Sequence, residues 1–230
     1  MSKKIIIKFI FTIIFIFIVL PIKPAITEVI TGCHCYQNRD YDPRAKFAAD
    51  DYLLTTCFNS LMANYFNLSK KEIIRLKMKG GASQEELLLA LQLSKISGLK
   101  ARQLLISRQH GYSWEKIIAT SSQFAKISNH KLWHEIKAGR PTSELGQEIA
   151  DNMIADFYAQ PIDKIIALRQ NGFSEKEINL LYCLTTKSRE KPEKIIQQIK
   201  RNGKSWSEVA HDFGLSPAMA GQFIINHKKG

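Results

Sequence analysis

The side chains best suited to chemistry lie near the start of the chain. Cys33-His34-Cys35 sets two thiols and an imidazole within three positions, and the sequence holds only two further cysteines, Cys57 and Cys183. A structural zinc site needs a second ligand pair at C-x-x-C or H-x-x-x-H spacing. The chain contains no C-x-x-C, so the spacing favours a disulfide over a metal. Cysteines one residue apart rarely meet disulfide geometry, so Cys33 and Cys35 must look to Cys57 and Cys183. Cys35–Cys57 is the expected bridge, because its short loop would pin the N-terminal arm to the first long helix. Cys183 falls in the apolar run Ile178-Asn-Leu-Leu-Tyr-Cys-Leu184 and is expected to be buried, as free cysteine often is.

Other candidates are weaker. His130 and His134 are four apart and would share one face of a helix, where two imidazoles can hold a metal. Spacing implies no third ligand, and a polar connector helix is the expectation. The acidic pairs Asp50-Asp51 and Glu85-Glu86 suit helix starts, where negative charge meets the dipole. No nucleophile elbow, phosphate loop, HExxH motif or dinucleotide fingerprint occurs. The sequence therefore reads as non-catalytic, with no cofactor and no metal ligand assigned. A small metal-binding or hydrolytic protein using the His34 region or His130 and His134 is the alternative.

The stretch from Glu208 to Ile224 has the look of a helix-turn-helix, with Ala210 and Gly214 at the turn and Ser216-Pro217 opening a second helix. Residues 218–222 offer no arginine for base edges, and an exported chain does not meet the genome. Nucleic acid is accordingly a minor alternative as a partner.

Export is read from the leader. Lys3, Lys4 and Lys8 precede an uncharged apolar run from Phe9 to Ile22, the layout of a secretory signal. The run falls short of the roughly 20 residues that span a bilayer, although a snorkelling Lys8 would let it serve as an N-terminal anchor. Ile30-Thr31-Gly32-Cys33 resembles a lipoprotein box, which makes Cys33 a candidate for lipidation, but Lys23, Pro24 and Glu28 separate it from the apolar core. The expected location is periplasmic or extracellular, with or without an anchor through the N-terminus or Cys33. Formal charge is +12. Removing the leader's four lysines and one glutamate leaves about +9 from Cys33 onward, an excess that suits an anionic envelope surface or an envelope protein.

What positions these residues is a repeated helical pattern. Ile73-Ile-Arg-Leu-Lys-Met-Lys-Gly80 matches Ile165-Ile-Ala-Leu-Arg-Gln-Asn-Gly172, and Gly111-Tyr-Ser-Trp114 matches Gly203-Lys-Ser-Trp206. The offset is 92 at both ends and 91 in the middle, where Gly81 is the extra residue. Ser83 and Ser174 read as N-caps, with Glu86 and Glu177 completing capping boxes. Gly80 and Gly172 read as left-handed helix stops. Trp114 and Trp206 each follow a capping serine and are expected to seal a helix end against its neighbours.

The fold expectation is all-α, with two tandem copies of a multi-helix unit packed as a helical bundle or short solenoid. The expected organisation is a signal peptide over 1–27, an arm over 28–44, unit one over 45–125, a connector over 126–144 and unit two over 145–225. The aliphatic pairs Leu104-Leu105 and Ile195-Ile196, followed by Gly111-Tyr-Ser-Trp114 and Gly203-Lys-Ser-Trp206, resemble repeats in secreted bacterial α-helical proteins with no assigned activity. Those proteins carry an N-terminal Cys-His-Cys motif and repeats of the form Gly-x-[Ser/Gly]-Trp-x-x-[Ile/Val]-Ala. Cys33-His34-Cys35 and Asp42-Pro43 extend the likeness. Ile118 departs from the motif alanine. The resemblance implies export and a helical fold and leaves the activity open.

Overall fold

Helix α1 (Asp50–Tyr65) starts where Asp50 and Asp51 bring negative charge to its positive end. Neither glycine nor proline interrupts its sixteen residues. A 3-10 turn at Pro43–Ala45, capped by Asp42, leads into it. The helix stops at Asn67, whose φ of 54° is left-handed, and the Leu68 amide then donates to the Ala63 carbonyl.

The computed structural model describes residues 39–125 and 127–227. The leader over 1–27 and the arm cysteines Cys33 and Cys35 lie outside the described residues. After α1 come α2 (Lys70–Gly80), α3 (Gln84–Ser97), α4 (Ala101–Gln109), α5 (Trp114–Thr120), α6 (Ser122–Ala125) and α7 (Lys131–Lys137). The second half holds α8 (Thr142–Phe157), α9 (Ile162–Gln170), α10 (Glu175–Ser188), α11 (Pro192–Lys200), α12 (Trp206–Asp212) and α13 (Pro217–Asn226). The chain is all-helical, with no strand among the described residues. No helix among them is long and apolar enough to cross a membrane.

Backbone turns recur at the sequence offset. Helices α1 and α8 are both sixteen residues long, and α5 and α12 both seven. Ala159 (φ 50°) ends α8 as Asn67 ends α1, and the Gln160 amide returns to the Ala155 carbonyl. Gly98 (φ 79°) ends α3, and Arg189 (φ 61°) takes the same conformation after α10. Gly80 departs from the sequence expectation. It remains helical, and the left-handed stop of α2 is Gly81 at φ 54°. In conformation it is therefore Gly81, not Gly80, that corresponds to Gly172 (φ 86°).

Packing crosses between the halves. α1 lies against α10 and α13, while α3 lies against α8. Where the halves meet, Gln84 Nε2 donates to Glu175 Oε1 at 2.5 Å, joining two residues that each follow a capping serine. The core includes Phe58, Leu61 and Met62 from α1, Leu88 and Leu91 from α3, Met153 and Phe157 from α8, and Leu180 and Leu184 from α10. Each such side chain contributes about 1.5–3 kcal/mol by leaving water. The described residues belong to one compact unit, so stretches 45–125 and 145–225 share a core. A bundle describes this arrangement, because in a solenoid each unit would bury its apolar face mainly through neighbours stacked in order.

Two close approaches hold the bundle. A Cβ on Gly146 would overlap Glu85, so α8 passes the start of α3 at backbone distance. A Cβ on Gly221 would come within 2.9 Å of Ser60 Oγ and 3.0 Å of Thr56 Cγ2, so α13 lies close on α1. Ala220 beside it is wholly buried. That contact explains a small residue where a helix-turn-helix would carry a branched one, and it turns the buried face of α13 toward α1.

Candidate interaction surface

The residues singled out by chemistry are placed in structural roles. Cys57 is wholly buried on α1 and carries a free thiol, as does Cys183 on α10. The expected Cys35–Cys57 bridge is therefore corrected. Cys57 is a buried free thiol on α1, which packs against α10, and Cys35 lies outside the described residues. Burial raises the pKa of Cys57 well above its ordinary value and pushes that of Cys183 up to about 12. Buried thiols of this kind are poor nucleophiles. His130 is outside α7, and its Nδ1 accepts from the Leu132 amide at 3.1 Å as an N-cap. His134 lies four residues on, within α7. No group of three potential ligands gathers among the described residues.

Of the two expected capping boxes, one is complete. Ser174 Oγ accepts from the Glu177 amide, and Glu177 Oε2 accepts from the Ser174 amide at 2.9 Å, a complete capping box. Ser83 Oγ accepts from the Glu86 amide at 3.2 Å, but the Glu86 carboxylate turns to the Arg108 guanidinium at 2.8 Å. The box expected at Glu86 is thus half formed, because a charge-assisted bond to arginine outcompetes a backbone amide. Trp114 and Trp206 are each 4% exposed. Asp50 has a role that spacing did not reveal. Its carboxylate accepts from the amides of Trp206 and Ser207 and caps α12 from α1.

Unpaired cations and exposed apolar groups gather on α2 and α4, which pack side by side. Ile73 and Leu76 anchor α2 inward. Lys70 and Lys77 lean toward the core, and burial lowers the pKa of both. Glu85 and Glu175 draw that of Lys77 back up, while Lys176 depresses it further. The opposite face of α2 presents Lys71, Ile74, Arg75, Met78 and Lys79 to solvent. α4 adds Arg102 and Ile106. A groove of about 390 Å³ runs between the helices, floored by Leu76 and Leu105 and rimmed by Arg75, Lys79 and Arg102. Gln109 Nε2 donates to the Lys79 carbonyl at 3.0 Å and ties the end of α2 to α4.

None of Arg75, Lys79 and Arg102 forms an ion pair with a described residue, whereas Arg108, Arg140 and Arg169 are all bound to carboxylates. Ile74, Met78 and Ile106 are 37%, 53% and 39% exposed. Cations without partners around apolar side chains suit an anionic surface. The sequence reading passed over these residues. Their signal was available in the four-residue spacing of Lys71, Arg75 and Lys79 on α2, which α9 lacks. No known protein family, curated protein or solved structure matches this chain.

Proposed function

We propose that this chain is an exported, non-catalytic protein of the cell envelope, built from two tandem copies of a helical unit, whose α2–α4 face docks on an anionic envelope surface. The leader supports export, as does the resemblance to secreted helical proteins. The recurrence of helix lengths and left-handed stops supports tandem copies. The observation that carries the docking reading is the set of unpaired cations, Arg75, Lys79 and Arg102, around exposed Ile74, Met78 and Ile106. On an anionic bilayer each surface lysine or arginine contributes about 1 kcal/mol, and the apolar side chains add burial at the headgroup boundary.

Co-sedimentation of the purified protein with vesicles tests this. The protein is expected to pellet with vesicles rich in phosphatidylglycerol and to stay in solution with phosphatidylcholine. Raising salt or introducing Arg75→Glu with Arg102→Glu should release it, with helical circular dichroism unchanged. Equal binding to both vesicles, or anionic binding that survives the double variant, refutes the assignment of this face.

A further inference from the structure

A second site lies on the far side of α4, independent of the docking face. Helices α4, α5 and α6 border a half-open cavity of about 450 Å³, within the usual size of small-molecule sites. Leu104, Ile117 and Phe124 supply apolar walls, while Tyr112, Lys116 and Ser121 stand around the opening. The Lys116 ammonium sits 4.7 Å from the centre of the Tyr112 ring and forms no ion pair with a described residue.

The second half of the chain carries different residues at the corresponding positions. Ninety-two positions on, Tyr112, Lys116, Thr120 and Ser121 become Lys204, Glu208, Asp212 and Phe213. There Lys204 Nζ donates to Asp212 Oδ2 at 2.5 Å and lies 3.7 Å from Glu208 Oε1. The Phe213 ring packs against the core. Lys204, which precedes α12, is thus paired with carboxylates of that helix, and Phe213 follows Asp212 directly. In the first half tyrosine stands at the Lys204 position and lysine at the Glu208 position, the Asp212 carboxylate is replaced by threonine and the Phe213 ring by serine, and a cavity opens beside Lys116.

We propose that the α4–α5–α6 cavity binds a small carboxylate with an apolar ring or short chain. The apolar part fills the volume between Leu104, Ile117 and Phe124, and the carboxylate pairs with Lys116. Tyr112 flanks the lysine and covers the ligand's edge. A ligand of this shape supplies in trans what Asp212 and Phe213 supply in cis.

The probe is 3-phenylpropionate, titrated into the full chain and followed by amide chemical shifts. Saturable shifts at Ile117, Thr120 and Phe124 are expected. Uncharged 3-phenylpropanamide should bind about tenfold more weakly, because its carbonyl accepts from Lys116 without the opposite charge that strengthens the bond. Lys116→Gln should weaken the carboxylate by a similar factor while leaving the amide's affinity unchanged. Ser121→Phe should fill the cavity from within and remove binding without lowering the melting temperature. If Ser121→Phe fails to fold, the exposed Lys116→Gln still decides the question. Shifts that do not saturate, or a Lys116→Gln protein that binds the carboxylate as the parent does, would overturn the proposal.

Discussion

The indole N–H of Trp206 donates to Glu177 Oε1 at 2.9 Å, so one carboxylate closes the capping box of α10 and also anchors the ring that opens α12. In the first half the matching glutamate, Glu86, is held by Arg108. Trp114 is equally buried, yet its indole nitrogen has no partner. The Arg108 guanidinium lies 5.3 Å above the Trp114 ring instead. Two tryptophans at matching positions are therefore held by different forces.

Phenylalanine in place of each tryptophan should separate those forces. Trp206→Phe loses a hydrogen bond to a charged acceptor and should cost about 1.5–3 kcal/mol. Trp114→Phe loses an N–H that is already without a partner and should cost less, about 1 kcal/mol or below. Truncation of either to alanine should cost about 3–5 kcal/mol. Urea denaturation of the four variants measures the difference. Equal costs for the two phenylalanine variants would show that the Glu177 bond adds nothing.

The buried thiols predict an alkaline limit to stability. Burial raises the pKa of Cys183 to about 12 and that of Cys57 above its ordinary value, while the unfolded thiols ionise near about 8.5. Below that pH both states keep their protons and the contribution is complete. Between about 8.5 and 12 the unfolded state loses protons first, so folding stability falls as pH rises. Denaturation midpoints at pH 8 and pH 10 should show the fall, and Cys183→Ala should flatten it. Neither Cys57 nor Cys183 should react with a thiol reagent until the protein unfolds. Recovery of Cys57 in a disulfide peptide would contradict the buried free thiol.

Backbone geometry sets two opposite expectations. Gly146→Ala forces a Cβ into Glu85 at the α3–α8 crossing and should destabilise by about 1–3 kcal/mol through overpacking. Arg189 is exposed and left-handed where α3 has Gly98 in the matching place. Relief of a left-handed side chain is worth about 1–2 kcal/mol, offset in part by the greater freedom of glycine in the unfolded chain. Arg189→Gly should therefore raise the melting temperature. A lower one would mean that the arginine side chain contributes more than its backbone strain costs.

Export can be checked on natively produced protein. Intact mass should correspond to a chain lacking residues 1–27. A full-length mass recovered from membranes would indicate an N-terminal anchor, and an added acyl mass at Cys33 a lipid one.

The sequence alone determined that the described chain is helical and where many of its helices begin and end. Capping serines such as Ser83 and Ser174, and stops such as Gly172, act on amides and carbonyls within a few residues, so their effect is written in local order. The offset linking Trp114 to Trp206 was legible for the same reason. Local order could not separate Gly80 from Gly81, because either can take the left-handed conformation and only the path of the chain into α3 selects one. Tertiary structure alone decided that Cys57 faces Cys183's helix, that Asp50 caps α12, and that Arg108 takes Glu86 from its capping box. Each depends on which faces meet across more than twenty residues of chain. The same holds for the α2–α4 face. Whether a lysine or arginine stays free depends on which carboxylates the fold brings within 4 Å, and for Arg75, Lys79 and Arg102 it brings none from a described residue.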